Sequence, residues 1–396
     1  MASAPPPLLD IRAVANTRNA WVALLFKGGA EDDASAAIDG PVLQSLFGTP
    51  ELLAATAPLD CIVLLDSPSV LTPAILEPMP PERVVLAVRA AALAEDGMGE
   101  DIVRHLAGLQ REGYRIMLDG ALPDGTARPP ALQMLSVDCA AGLPPAGSAP
   151  AWFGPHLAHG VDGSAQLQAC RDAGFSWFAG DYALETGYDD SDDAGSSRKR
   201  LLAMLALLAR DADAQELEAQ LKQDPALSYH LLKLANSAAF SDGVPVTSFG
   251  QAIGRLGRRQ LQRWLQLLLY AHQRPDGTPN LLLPLAAWRG AIMETLCRIE
   301  GGDSADQDLA FMAGVFSLLD RLLGVPLGSL LADLRLPGHV EAALLRREGP
   351  LGARLALAAV SSSDAGALAR AGVDDSTWWQ ARLQALQWAI EVARNV

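Results

Sequence analysis

Histidine, cysteine and arginine are the residue types whose spacing could carry chemistry here. The six histidines are His105, His156, His159, His230, His272 and His339, and only His156 and His159 stand near one another. Structural zinc takes four protein ligands, usually Cys and His at short spacing. The His156/His159 pair lies beside Pro155 and Gly160 with no Cys or Glu at ligand spacing, so it reads as a loop pair without a metal. Cys61, Cys139, Cys170 and Cys297 show no CxxC spacing and sit in apolar surroundings, as buried free thiols of a reducing compartment would. No GxSxG elbow and no glycine-rich phosphate loop occurs. Arg255, Arg258, Arg259 and Arg263 cluster around Leu256-Gly257 and could form an anion site for phosphate or nucleic acid. A plainer reading makes them the solvent face of an amphipathic helix, with contacts to an acidic first domain. It is favoured because the whole chain is acidic.

The elements that must position such groups are densest between Asp211 and Tyr270. Asp213 can cap a helix with Glu216 as its capping-box partner. Asp224 before Pro225 restarts a helix, and Leu227, Leu231, Leu232 and Leu234 keep an inward stripe up to Asn236. Thr247 or Ser248 can cap the next helix, which Gly257 closes. Leu261, Trp264, Leu265, Leu268 and Leu269 then fit one helical face. Further helices are expected at 281–300, 308–323, 340–347, 351–361 and 376–394; of the adjacent Trp378 and Trp379, at least one belongs in a core.

Upstream the pattern changes. After a proline-rich start at residues 1–7, strand-like runs at 21–26, 61–65, 84–88, 115–118, 132–137 and 177–178 alternate with helical runs at 34–47, 98–112 and 164–173. Such alternation predicts βα units around a parallel sheet. Six strands are few for a closed eight-stranded barrel, so a barrel here would be a reduced one.

A chain of 396 residues suggests two domains. The net charge of −15 is unevenly placed: residues 1–197 hold 10 Lys+Arg against 26 Asp+Glu (−16), whereas residues 198–396 hold 21 against 20 (+1). Residues 185–197, rich in acid, Gly and Ser, read as a linker between a domain at 1–184 and an all-α domain at 198–396. Arg198-Lys199-Arg200 would pair with that linker. Leucine-rich runs are broken well before the roughly 20 residues needed to span a bilayer. With no N-terminal signal pattern, a cytoplasmic protein without membrane contact is expected.

The order Asp224-Pro225-Ala226-Leu227, Leu231 through Ser237, Ser248, Gln251-Ala252-Ile253, Leu256-Gly257 and Trp264-Leu265 resembles the HDOD domain, a bacterial helical signalling module related to HD-type metal phosphohydrolases. The segments Val22 to Lys27, Arg83 to Ala90, Gly113 to Gly120, Ser136-Val137-Asp138, His159 to Asp162 and Gly174 to Gly180 resemble, in order, an EAL domain, the α/β barrel that hydrolyses cyclic di-GMP. Together they imply a reduced TIM-barrel-like domain followed by a helical one.

The resemblance also shows what is missing. Two-metal phosphodiester cleavage needs several converging carboxylates. The glutamate positions of the EAL pattern hold Ala23, Ala87 and Ala90; the second of its paired aspartates is Gly120; its lysine falls at Ser136, its later glutamates at His159 and Asp162, and its glutamine at Ala179. Only Asp119 and Asp138 survive as candidate ligands. Magnesium wants six oxygens in near-octahedral order, so hydrolysis is not expected. The two aspartates read better as strand-end carboxylates bonded to backbone amides. At the HD-type doublet stand Ser317 and Leu318, so no metal and no cofactor is expected there either.

The resemblance therefore implies a non-catalytic signalling regulator or scaffold, working through contacts with other signalling proteins in the cyclic di-GMP network. Two alternatives stay open. One is a cyclic di-GMP receptor or residual phosphodiesterase using Asp119, Asp138 and arginines such as Arg89 or Arg115, weakened by the missing glutamates and lysine. The other is a regulator touching nucleic acid through Arg255 to Arg263, against which the acidic charge argues.

Overall fold

Eight strands close into a barrel in chain order: β1 (Leu9–Asn16), β2 (Trp21–Gly28), β3 (Asp60–Leu65), β4 (Val84–Arg89), β5 (Arg115–Asp119), β6 (Leu132–Asp138), β7 (Leu157–His159) and β8 (Trp177–Ala179). Neighbours from β2 to β8 run parallel, and β1 is antiparallel to both β2 and β8. The computed structural model describes residues 8–28, 38–48, 50–65, 67–95, 100–122, 128–185, short stretches between 203 and 219, residues 236, 246 and 248–270, and residues 278–395 except 333, 335 and 362–364. The proline-rich start, most of the linker, the Arg198–Arg200 run and the expected helix at 224–235 lie outside the described residues.

Two strands, β1 and β7, exceed the six expected from sequence. In β1 the apolar run is interrupted by Asp10 and Arg12, and β7 has three residues, too few to show a period. A local turn signal marks the β1–β2 hairpin: Asn16 Oδ1 accepts from the backbone N–H of Arg18 (2.9 Å) and Ala20 (3.1 Å), and Asn19 takes a positive φ of 55°. The barrel is reduced in its outer helices instead. The helix Ser164–Ala173 follows β7 at the bounds the periodicity predicts, yet residues 139–156 join β6 to β7 without one.

Inside the barrel, alternate residues of each strand form an apolar plug that includes Val14, Ala23, Leu25, Ala87, Met117 and Leu157. A strand turns every second residue to the same face. The inward set therefore continues from Val14 to Arg12 and Asp10, from Leu25 to Lys27, from Ala87 to Arg89, from Met117 to Asp119 and from Leu157 to His159. Because β1 is antiparallel, with Asp10 opposite Lys27, its beginning reaches the rim formed by the ends of the other strands.

Residues 1–186 with 359–387 form one compact unit; residues 187–358 with 388–396 form the other. The expected all-α block 198–396 is thus divided, because the segment 359–387 binds β1. Strand β8 pairs only with Ala15 and Asn16 of β1, which leaves the start of that strand uncovered. There Ile11 N–H donates to the Ser361 carbonyl (3.4 Å), and the buried Arg382 guanidinium donates to the carbonyls of Leu9 (2.8 Å) and Ser361 (3.1 Å). Burial pulls the Arg382 pKa down to about 10, with Asp10 acting in the other direction. Trp378 is buried, as one of the two tryptophans was expected to be.

In the second unit, the helices Leu282–Ile299 and Ser304–Phe316 cross where Gly290 and Gly314 meet. A Cβ on Gly314 would stand 2.6 Å from the Arg289 carbonyl oxygen and the Gly290 Cα, so only glycine permits this approach. The helix Phe249–Leu268 is broken at Gly257 (φ 72°, ψ 161°) and capped by Ser248, whose hydroxyl accepts from Gln251 N–H (3.3 Å). Asp213 accepts from Glu216 N–H (2.9 Å), the half of the expected capping box that is observed. Asn236 exchanges two hydrogen bonds with the backbone of Val246, at 2.7 and 2.9 Å.

Candidate functional site

The polar residues meet at the rim where the parallel strands end. In barrels of this kind that face carries the reactive groups, because the loops above it are free to vary while the strands hold their ends rigid. Here β2 delivers Lys27, β4 Arg89, β5 Asp119, β6 Ser136 and Asp138, and β7 His159, while β1 adds Asp10 and Arg12.

His159 is the centre. Lys27 Nζ lies 3.0 Å from its Nδ1, and its Nε2 lies 2.9 Å from Asp119 Oδ1. An ammonium can only donate, so Nδ1 accepts from Lys27 and the ring proton sits on Nε2, pointing at Asp119. Ser136 Oγ adds a second hydrogen bond to the same Asp119 oxygen at 2.5 Å. Burial would raise the Asp119 carboxyl, but the bonds from His159 and Ser136 and the charge of Lys27 outweigh it and hold it below the ordinary carboxylate value. Burial lowers the Lys27 pKa, while Asp138, Asp10 and Asp119 pull the other way.

Asp138 is half exposed. Its Oδ1 accepts from Ala140 N–H (3.0 Å) and lies 3.7 Å from His159 Nδ1. Gly160 (φ 66°) allows this approach, since a Cβ there would stand 2.6 Å from the same oxygen. Asp138 thus has the backbone-bonded role expected of it. Asp119 does not: it accepts from the side chains of His159 and Ser136. Gly120, also at positive φ (93°), donates its N–H to the Ser136 carbonyl (2.9 Å). Ala23 and Ala87 are buried in the apolar plug, and Asp162 is exposed, with its N–H on Gln166 Oε1 (2.7 Å). Arg12 is bonded to Asp10 (2.9 Å); burial works against its charge, yet Asp10, Asp181 and Asp162 raise its pKa.

Several expectations need correcting. His156 and His159 are not a loop pair, because His159 is the last residue of strand β7. His156 lies outside the barrel, where Nδ1 accepts from Leu135 N–H (3.1 Å) and Nε2 donates to the Pro150 carbonyl (2.9 Å). Arg115 is at the opposite end of the barrel, bonded to Asp60 (2.7 Å) at the start of β5, so it cannot join a site with Asp119. Lys27, Arg12 and Asp10 were not recognised as site residues. The alternation along Leu9 to Val14 was the available signal, since it puts Asp10 and Arg12 on the face shared with Val14.

The metal pair implied by the EAL resemblance does not fit this donor set. Two carboxylates and one imidazole remain, and Lys27 already holds the imidazole nitrogen nearest Asp138. Among the described residues no group of three or more His, Cys, Asp and Glu is placed to hold a metal ion. In the helical unit the corresponding position is built from uncharged groups. Ser317 Oγ donates to the Gly314 carbonyl (2.7 Å) and accepts from Arg289 (3.3 Å), and Leu318 is buried.

The arginine cluster is tied down. Arg259 and Arg263 both reach Glu294 and Asp308, with Arg259 Nε 2.5 Å from Asp308 and Arg263 3.1 Å from it; Arg258 donates to the Ala212 carbonyl (2.8 Å). Their acidic partners are thus on the helices Leu282–Ile299 and Ser304–Phe316 of the same unit, not on the acidic first domain.

Fold and site define a two-unit chain: a closed eight-stranded barrel whose rim holds an internally paired charge cluster, and a helical unit. Residues 199–324 match the HDOD domain family, so the helical part carries an HDOD domain. Over 207 residues the chain is 30% identical to the cyclic di-GMP phosphodiesterase CdgJ of Vibrio cholerae, covering 51% of this chain and 46% of that protein. It is 25% identical over 228 residues to the uncharacterized protein YuxH of Bacillus subtilis, covering 56% and 55%. The chain therefore spans about half the length of the curated relatives it matches. Among solved structures, the Xanthomonas citri FimX EAL domain in complex with c-diGMP is 16% identical, covering 46% of this chain and 87% of that one, with a TM-score of 0.34. An HDOD domain protein of Geobacter sulfurreducens is 15% identical, covering 52% and 94%, with a TM-score of 0.33. Among the described residues no helix is long and apolar enough to cross a membrane.

Proposed function

We propose that this chain is a non-catalytic regulator of cyclic di-GMP-related signalling in the cytoplasm, acting through contacts with other signalling proteins. The observation that carries the reading is the Lys27–His159–Asp119–Ser136 chain at the barrel rim. Each group there is engaged with another side chain, and alanines and a glycine stand where further ligands would be needed. A two-metal mechanism requires open coordination positions on carboxylates. This rim offers an ammonium in that place.

A second reading, a receptor for cyclic di-GMP, is favoured by the cations Arg12, Lys27 and Arg89 on the same inward face, which suit a phosphodiester better than they suit a metal. Binding through the Arg255 to Arg263 cluster to nucleic acid is disfavoured by the carboxylate and carbonyl partners of Arg258, Arg259 and Arg263.

The test is calorimetric titration of the whole chain with cyclic di-GMP in Mg2+ or Mn2+, followed by chromatography of the same sample for the linear dinucleotide. No heat and no product are expected for the regulator. Binding without product selects the receptor. Turnover that disappears in Asp119→Ala overturns both.

A further inference from the structure

We infer that Cys139 and Cys170 form an oxidation site, two thiols that a peroxide joins into a disulfide, stapling the end of β6 to the helix Ser164–Ala173. Their sulfurs lie 3.4 Å apart, in van der Waals contact, although 31 positions separate them in the chain. Cys139 follows the last residue of β6, and its N–H donates to the His159 carbonyl at 2.8 Å, so the end of β7 holds its backbone. Cys170 stands in the last turn of the helix, where its carbonyl accepts from Phe175 N–H at 3.0 Å. The β6–β7 connection is tied to that same turn: Gly147 and Ala149 donate their N–H groups to the carbonyls of Asp172 (3.0 Å) and Ala173 (2.9 Å). Both sulfurs are therefore carried on backbone that is already fixed. Bonding takes them from 3.4 Å to about 2.05 Å, a movement that side-chain rotation can supply. Cys61 has no such neighbour, its Sγ facing Thr56 Oγ1 at 3.5 Å, and Cys297 belongs to the other unit.

Proximity, not acidity, singles the pair out. Burial and the neighbouring sulfur push the Cys139 thiol up to about 12, and burial raises Cys170 as well. Thiolate, the form that attacks, is scarce in both, so the reaction is slow and the geometry sets its product. Cys139 is the entry point, since Asp138 and Ala140 on either side of it are exposed whereas Cys170 is fully covered. Its sulfur attacks one peroxide oxygen, the O–O bond breaks, and the thiol proton leaves with the other oxygen as water, giving a sulfenic acid. The Cys170 sulfur then attacks that sulfur. An S–S bond forms as the S–O bond breaks, and the second thiol proton leaves with the oxygen as water. Two thiols lose two electrons, and one peroxide is reduced to two waters. The bond closes a loop that contains residues 140–169, so it constrains the whole β6–β7 connection and β7 itself. In a reducing compartment such a bond forms under oxidant and is reduced again afterwards, as in other redox-sensing pairs. Neither sulfur belongs to the hydrogen-bonded chain of the rim, so the pair stands whatever cyclic di-GMP does there.

The experiment oxidises the reduced full chain with hydrogen peroxide, blocks the remaining thiols with iodoacetamide after unfolding, and maps the digest by mass spectrometry. A peptide pair joined through Cys139 and Cys170, lighter by two hydrogens, is expected, with Cys61 and Cys297 alkylated. Dithiothreitol should restore both thiols. Cys61→Ser should cross-link as the unaltered chain does, whereas Cys170→Ser should leave a sulfenic acid on Cys139 that dimedone traps. A second measurement needs no variant for its main result. Amide exchange in the helix Ser164–Ala173 should slow roughly tenfold in the oxidised chain, because a cross-link of this loop size restrains the opening of the elements it joins. Peroxide should leave that exchange unchanged in Cys139→Ser. Both cysteines still free after peroxide, oxidation to sulfinic acid, a link to Cys61 or Cys297 in their place, or exchange that does not slow on cross-linking would overturn the inference.

Discussion

Both halves of the chain have a position where the family resemblance places metal ligands, and the two are filled differently. At the barrel rim, charges remain and are balanced by another charge. In the helical unit, the Ser317–Leu318 position holds a hydroxyl and a buried leucine, with the Arg289 guanidinium on the hydroxyl. A buried charge has to be paired, because an unpaired one is expensive. An uncharged replacement makes no such demand. The rim therefore depends on electrostatics, whereas the helical unit near Ser317 depends on how closely two helices approach.

The sharpest way to break this contrast is to remove one member of the rim. Asp119→Leu removes the acceptor of both the His159 Nε2–H and the Ser136 hydroxyl and should cost about 3 kcal/mol, the upper end for leaving buried donors unsatisfied. Asp119→Leu, His159→Leu and Ser136→Ala together should recover most of that loss, because no unsatisfied donor remains and Lys27 keeps Asp138 and Asp10. Hydrogen exchange of β5 and β7 amides by mass spectrometry reads both outcomes locally. If the triple variant were no more protected than the single one, the rim would be held by shape and not by charge.

The helical unit should respond to volume first. Gly314→Ala puts a methyl group 2.6 Å from the backbone of the neighbouring helix and should cost about 1–3 kcal/mol, as overpacking typically does. Exchange of amides in Leu282–Ile299 and Ser304–Phe316 reports it. Ser317→Ala should cost less, about 0.5–1.5 kcal/mol, the net worth of an ordinary hydrogen bond. A larger loss for Ser317→Ala than for Gly314→Ala would reverse the contrast.

How much of this was legible in the sequence follows the same physics. Signals that act within a few residues could be read: the cap at Ser248, the break at Gly257 and the bounds of Ser164–Ala173. The long apolar strands β3 and β4 were equally plain, since buried parallel strands read as continuous runs. What escaped depends on closure. Strand β1 alternates apolar with charged residues because its charged face lines the rim, and β7 is too short to show any period. Lys27 was visible as a residue but not as a partner of His159, because 132 positions separate them and only the closed barrel brings them to 3.0 Å. The 359–387 return to β1 was hidden for the same reason: Arg382 and Leu9 have no local relation.

Acid should separate the two units more gently than any substitution. The Asp119 carboxyl is held below its ordinary value, so the folded rim binds that proton less readily than the unfolded chain does. Its contribution to stability is complete above the ordinary carboxylate range of about 4 and is lost as pH falls through the lowered folded value. Protonation also replaces the carboxylate facing His159 Nε2–H with a neutral carboxyl oxygen, a weaker acceptor. Strands β5 and β7 should therefore lose exchange protection at acidic pH before the Gly290–Gly314 crossing does. In Asp119→Asn, which keeps an oxygen acceptor but cannot titrate, that early loss should disappear. Persistence of the early loss in Asp119→Asn would assign it to other carboxylates and detach the rim's acid sensitivity from Asp119.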